Sequence, residues 1–301
     1  MLGIVGTVPD PDFPLVHGPV AWDDDRLTIA GRRVAVLRGT PALLAAALTA
    51  APCLGRPEIY AFLAGDIGKG QGSRQLYQFL EKNLKAFDLQ VLTFHYLQPD
   101  VDWHNRVLFA IDAMPRRPLL IADAGFMYAA KMSGQAAAYD FFTPDAGELA
   151  FLADETAPHP FYTRGFILHQ DNDIPQLIRR AYRHGNAARH LVVKGATDHI
   201  ANEEGILFRV DQPSFDAMEA IGGTGDTLTG LLTVLCGAGF GLPQAGLLAA
   251  RANRLCGSFV TPTPATQVAT LIEAIPQALA DVLERSPRAG EAKSGEFRKI
   301  T

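Results

Sequence analysis

From Arg32 to Ala201, short apolar runs alternate with stretches patterned as helices, and this order restricts the fold more than any other feature of the chain. RRVAVLRGT (32–40) reads as a strand and PALLAAALTAA (41–51) as a helix opened by proline. EIYAFLAGD (58–66) reads as the next strand, and SRQLYQFLEKNLKAF (73–87) as an amphipathic helix with Leu76, Tyr77, Leu80, Leu84 and Phe87 on one side. The alternation continues through the strand LQVLTFHYLQP (89–99), the helix DWHNRVLFAIDAM (102–114) and the strands RPLLIADAG (117–125) and YDFFTPD (139–145). After the loop ETAPHPFYTRG (155–165) come a helix at DIPQLIRRAYRHGN (173–186), with Asp173 as its expected cap and Gly185 as its stop, and one strand at RHLVVKGATDHIA (189–201). Near-continuous apolar strands separated by helices are the pattern of a mostly parallel sheet covered on both faces. The expected fold class is α/β, a three-layer α/β/α sandwich around a large, mostly parallel central sheet.

Length alone allows one large domain or two, but no low-complexity linker interrupts the middle of the 301 residues. A single domain is expected over residues 1–285, with the polar, glycine-bearing stretch SPRAGEAKSGEFRKIT (286–301) as a loose tail. A formal charge of -5 gives no electrostatic case for nucleic acid or acidic membranes, so a small-molecule substrate is the expected partner. Cys53, Cys236 and Cys256 have no CxxC spacing, which indicates neither a disulfide framework nor a thiolate zinc site. The first residues lack the basic start and apolar run of a signal peptide, and no apolar stretch has the length of a bilayer span. A cytoplasmic protein is expected, acting alone or as a homo-oligomer.

Ligands of such sheets bind beyond the carboxyl ends of the strands. The residues there are Gly39-Thr40, Gly65-Asp66, Asp123, Thr143-Pro144-Asp145, Lys194-Gly195 and the turn GGTGD (222–226). In that turn Gly222, Gly223, Thr224 and Gly225 precede a helix whose first amides lack intrahelical acceptors. Glycine's freedom and the helix dipole suit these amides to a phosphate, as an anion hole. Asp226 stands beside it, as a base for a substrate hydroxyl that attacks phosphorus or, on the plainer reading, as a helix cap.

TPDAGEL (143–149), LVVKGATDHIA (191–201) and AMEAIGGTGDTLTGLL (217–232), in this order, resemble the ribokinase-like superfamily and within it the ATP- or ADP-dependent NAD(P)H-hydrate dehydratases. The resemblance implies a nucleotide-dependent enzyme that phosphorylates the hydroxyl of hydrated NADH or NADPH, after which phosphate leaves. By the same carry-over Lys194, Gly195, Ala196 and Thr197 would line ATP or ADP, Gly225 would approach its phosphates, and Asp226 would be the catalytic acid-base group. The chain departs from the family's pattern at Asp145 and Ala146, where TPHPGE has histidine and proline, and FHYLQPD (94–100) replaces a GPGLG-like loop. Two rival readings therefore stay open, a kinase of a sugar, a hydroxymethylpyrimidine or another small alcohol, and a nucleotide-binding regulator without turnover.

Other candidates carry two readings each. Glycines 68, 70 and 72 of GDIGKGQGS (65–73) either cradle a second anion, with Gly68 and Gly70 at the substrate, or form a flexible loop. Asp145 and Glu148 have capping-box spacing; beyond it, Glu148 would orient water around Mg²⁺, and Asp145, like Asp123, would face the substrate. Lys194 either reaches phosphate or snorkels at the rim of the sheet. The histidines show no ligand spacing, which argues against a transition-metal site.

Overall fold

A computed structural model describes residues 1–23, 26–55, 57–155 and 173–285. Of the stretches read as a loop over 155–165 and as a tail over 286–301, Glu155 alone lies among the described residues. Among the described residues eleven strands form one sheet: β1 (Leu2–Val8), β2 (Val16–Asp23), β3 (Arg26–Ile29), β4 (Arg32–Ala35), β5 (Ile59–Gly65), β6 (Val91–His95), β7 (Leu119–Ala122), β8 (Phe141–Phe142), β9 (His190–Val193), β10 (Asp198–Asn202) and β11 (Gly205–Val210). Their spatial order is β11-β10-β9-β8-β7-β6-β1-β5-β2-β3-β4.

The middle of this order, from β9 through β8, β7, β6 and β1 to β5, is parallel throughout, and antiparallel hairpins extend both flanks. Side chains of successive strand residues leave opposite faces. Ile121 accordingly joins one core while Leu120 and Ala122 join the other, and Ile59, Ala61 and Leu63 are parted in the same way from Phe62 and Ala64. One face is covered by helices Thr40–Ala50, Thr224–Gly237, Leu242–Val260 and Ile275–Glu284, whose buried residues share a core with the first set. Helices Gln71–Asn83, Val101–Asp112, Gly125–Met132, Ala146–Ala153 and Ile174–Arg183 cover the other. The expected three-layer sandwich is present.

Several local readings change. β1, LGIVGTV, is the central strand and all of its residues are buried; its short side chains and two glycines leave little apolar contrast to read. RRVA forms β4, but at the far edge of an antiparallel meander, where Arg32, Arg33 and Ala35 face solvent. RHLVVKGATDHIA is two antiparallel strands rather than one, because the chain reverses at residues 194–197 between β9 and β10. Asp173 does sit at the head of its helix, though its side chain makes no capping bond, and Gly185 follows the helix end with φ +68°. Among the described residues no helix is long and apolar enough to cross a membrane.

Candidate functional site

A cleft of about 640 Å³ opens beyond the carboxyl ends of the parallel strands, where such sheets bind ligands. Several wall residues follow a strand or open a helix. His95 ends β6, Asp123 follows β7, Asp145 follows β8 and heads the helix Ala146–Ala153, and Lys194 follows β9.

The glycine turn forms the floor on one side. Gly223, with φ +104°, heads the helix Thr224–Gly237, a conformation that side chains rarely adopt. The amide of Thr227 bonds to Gly223 O at 2.9 Å, so the amides preceding it in the turn have no intrahelical acceptor. The stem of Arg38 presses on this turn. A Cβ on Gly222 would lie 3.6 Å from Arg38 Cβ and Cδ, and one on Gly223 would lie 3.0 Å from Val268 Cγ2.

Asp226 stands in the first turn of that helix with both carboxylate oxygens held. Its Oδ2 accepts the Gly39 N–H at 2.6 Å, and its Oδ1 lies 3.0 Å from His95 Nε2. Burial alone would raise its carboxyl, yet the hydrogen bond and charge of His95, the charge of Lys194 and the Gly39 amide together hold it below the usual carboxylate value. The side-chain capping reading is thus replaced by a carboxylate that reaches across to another helix's head.

Beside it, Lys194 Nζ donates to Asp123 Oδ1 and Oδ2 at 2.9 and 3.0 Å. Asp123 also accepts from Thr229 Oγ1 at 2.6 Å and from the Ala124 amide at 2.8 Å. Burial works against the Lys194 charge, but Asp123 and Glu148 outweigh it and raise the ammonium above its usual pKa. Lys194 is therefore neither free nor snorkelling into solvent. One ligand atom each from His95, Asp123 and Asp226 lies within 4.8 Å of the others, close enough to share a cation. Internal partners already answer these groups, since the Lys194 ammonium neutralises Asp123 and the imidazole serves Asp226.

Asp145 and Glu148 form the expected capping box, Glu148 N donating to Asp145 Oδ1 at 2.8 Å and Asp145 N to Glu148 Oε2 at 2.9 Å. Both also line the cleft. Glu148 is half-buried; burial, together with Asp123 and Asp145 and against the pull of Lys194, raises its carboxyl to about 8. A cation arriving with a phosphate group would favour its ionised form, which fits it to hold a hydrated Mg²⁺.

Gly195 and Ala196 line the cleft, whereas Thr197 completes the reversal without reaching it. Gly68 and Gly70 are likewise absent from its walls. Their amides, with that of Lys69, donate to Asp66 Oδ1 at 2.9–3.0 Å, and Ser73 donates to Oδ2 through both its amide and its hydroxyl at 2.9 Å. The anion held in this loop is the chain's own carboxylate.

Sequence reasoning passed over His95, Arg38, Tyr96, Asn253 and Arg254. Asn253 Nδ2 donates to Thr224 O at 3.0 Å and its Oδ1 accepts from Thr227 Oγ1 at 2.7 Å. Arg254 binds Asp198 at 2.8 Å and the carbonyls of Gly195 and Ala196 at 2.8 and 2.9 Å. On the cleft, two strand ends carry a non-glycine residue at positive φ, Tyr96 after His95 and Ala124 after Asp123, a costly backbone state that clusters at functional sites. That pairing of acid or imidazole with a turned backbone has no signal in the sequence.

Residues 102–277 match a family model described as NAD(P)H-hydrate dehydratase. The chain is 40% identical over 228 residues to the uncharacterized protein MJ1337 of Methanocaldococcus jannaschii, covering 75% of this chain and 94% of that one. A ribokinase-like superfamily protein of Enterococcus faecalis, at 15% identity, superposes with a TM-score of 0.55 over 93% of this chain and 86% of its own. The ADP/ATP-dependent NAD(P)H-hydrate dehydratase of Bacillus subtilis, co-crystallized with ATP/Mg²⁺, is 16% identical with a TM-score of 0.52, covering 94% and 88%. Phosphofructokinase-2 of Escherichia coli, in complex with substrates and products, gives 14% identity and a TM-score of 0.55 over 94% and 99%. At these identities the structural likeness establishes a ribokinase-like fold.

Proposed function

This chain belongs to the carbohydrate-kinase-like family described as NAD(P)H-hydrate dehydratase, and from that membership and its cleft we propose a nucleotide-dependent phosphoryl-transfer enzyme that repairs hydrated NADH or NADPH. The observation that carries the reading is the fixed carboxylate of Asp226 beside the amides of the Gly222–Gly225 turn. ATP or ADP lies with its phosphates at that turn and against Lys194, Gly195 and Ala196. Glu148 would hold Mg²⁺ through water, and the ion would supply positive charge against the phosphates.

In the reaction the substrate hydroxyl oxygen bonds to the terminal phosphorus as the bond from that phosphorus to its bridging oxygen breaks. Asp226 accepts the hydroxyl proton, while the turn amides stabilise charge on the transferred group. The phosphate then departs with the former hydroxyl oxygen, a proton is lost from the neighbouring carbon, and the dihydronicotinamide double bond returns.

A second reading, a small-alcohol kinase using the same Asp226, is favoured by the acids on the cleft wall. Asp145, Glu148, Asp216 and Glu219 line it with Arg38, while its other two cations, Lys194 and Arg254, are already paired with Asp123 and Asp198, a balance that suits a neutral alcohol better than a pyrophosphate-bearing dinucleotide. Supplying hydrated NADH with ATP or ADP and following nicotinamide absorbance alongside the nucleotide product separates the two. Recovery of NADH is the expected result; nucleotide consumption only with an added alcohol would select the kinase.

A further inference from the structure

We propose that His95 is a positioning residue for Asp226, holding its carboxylate in one orientation and in the ionised state. The inference rests on the reading of Asp226 as the base that meets the substrate hydroxyl.

His95 is 1% exposed, and both ring nitrogens are engaged. Nε2 lies 3.0 Å from Asp226 Oδ1, and Nδ1 lies 2.9 Å from Thr40 Oγ1. An ionised carboxylate only accepts, so the proton of the first contact belongs to Nε2. A neutral ring then accepts a hydrogen bond from the Thr40 hydroxyl at Nδ1; a charged ring donates to the same oxygen. Thr40 thus fits either state of the imidazole.

The ring is backed by the sheet itself. β1 and β6 run parallel in a register that sets Gly6 beside His95. A Cβ at Gly6 would collide with Thr40 Oγ1 and Cγ2 and stand 2.7 Å from His95 O, so glycine at this position is what lets Thr40 lie against the strand ends. Thr40 opens the helix Thr40–Ala50, and its neighbour Gly39 supplies the amide on Asp226 Oδ2. One short segment therefore anchors the imidazole and the far oxygen of the acid together.

The charged and titratable groups facing the ring come from every neighbouring element. Asp226 approaches from the helix Thr224–Gly237, Asp123 Oδ2 stands 3.8 Å from Nε2, and the Tyr96 ring meets His95 edge-on at 4.4 Å. Lys194 acts on the group through Asp123. Two carboxylates against one ammonium leave a negative excess that favours an N–H donor turned toward them. With one bond on each oxygen, Asp226 cannot rotate, yet each oxygen keeps a lone pair for the incoming proton.

Aspartate labelled with ¹³C at its side-chain carboxyl reads the ionisation of Asp226, its resonance being identified by loss in Asp226→Asn. In His95→Leu, which fills the ring's space without a donor, Asp226 is expected to ionise at higher pH than in the wild type. His95→Gln, which keeps an N–H toward Asp226, is expected to return it most of the way. For hydrated NADH with ATP, kcat/KM at neutral pH should fall at least about tenfold in His95→Leu, the scale of one charge-assisted hydrogen bond, and recover in His95→Gln. Thr40→Val loosens the ring without removing it and should move Asp226 in the same direction, with Thr40→Ser restoring it; this pair decides the matter if His95→Leu does not fold. Unchanged Asp226 ionisation in His95→Leu or, failing that, in Thr40→Val overturns the proposal. The resonance is read without substrate, so a wild type that leaves hydrated NADH untouched would sink the functional reading and leave this one standing.

Discussion

Lys194 Nζ meets both carboxylate oxygens of Asp123, at 2.9 and 3.0 Å, with the aspartate 1% exposed and the lysine side chain 14% exposed. An enclosed pair of this kind stabilises little by existing but costs much when halved, because the remaining charge cannot reach water. Lys194→Met is expected to lower unfolding free energy by about 3–5 kcal/mol. Lys194→Met with Asp123→Asn should recover a large part of that loss. Urea unfolding of the two singles and the double measures the coupling, and simple additivity would show that the pair is not a unit.

Asp226→Asn keeps the size of the side chain and the carbonyl that meets Gly39, but removes the base. Turnover is expected to fall at least about a hundredfold. Nucleotide affinity, which depends on the turn amides, should hold within about threefold, or about 0.7 kcal/mol. Single-turnover kinetics and calorimetric titration with ATP separate the two quantities, and near-normal turnover would return Asp226 to a purely structural role.

Glu148 gives a pH dependence whose sign can be worked out. Its carboxyl is raised from 4.5 to about 8, so between those values the folded protein holds a proton that the unfolded chain has released. The associated stability is complete below about 4.5 and is lost as pH rises toward 8. Glu148→Gln should flatten this part of the stability profile, gaining on the wild type as pH rises. Thermal melts from pH 5 to pH 8 check it; parallel curves for the two proteins would place the carboxyl in the ordinary range.

The loop at Asp66 carries the opposite sign. Burial raises its carboxyl, but the amides of Ser73, Gly70 and Gly68 and the Ser73 hydroxyl bring it below the usual value. Its contribution is present above the unfolded value of 3.8 and disappears as pH falls through the depressed one. Asp66→Ala should cost about 1 kcal/mol at neutral pH, the size of a lost helix cap, and less in acid. An equal cost at pH 7 and in acid would rule out the ionised carboxylate as the group that orders the loop.

What could be read in the chain was local. The Asp145–Glu148 box spans three residues and the Gly223 turn sits directly before its helix, so sequence spacing carries both. The central strand β1 was missed because Gly3 and Gly6 break its apolar run, though they are there for close neighbours: Leu92 and Leu89 around Gly3, Thr40 around Gly6. His95 was missed for a different reason. Its partners Thr40 and Asp226 lie 55 and 131 residues away, and only the parallel register brings the three together. The Gly68 and Gly70 amides show the converse, a local pattern read either as a cradle for a substrate anion or as a flexible loop, whose amides in fact hold Asp66 of the same loop.

Asn253 and Arg254 are consecutive residues of the helix Leu242–Val260, yet one grips the glycine turn at Thr224 and Thr227 and the other grips the reversal at Gly195, Ala196 and Asp198. The helix thereby works as a ruler across the cleft. Its two neighbouring marks fix how far apart the two jaws stand, and a sliding or tilting of this one rod would carry both jaws in step rather than opening one against the other.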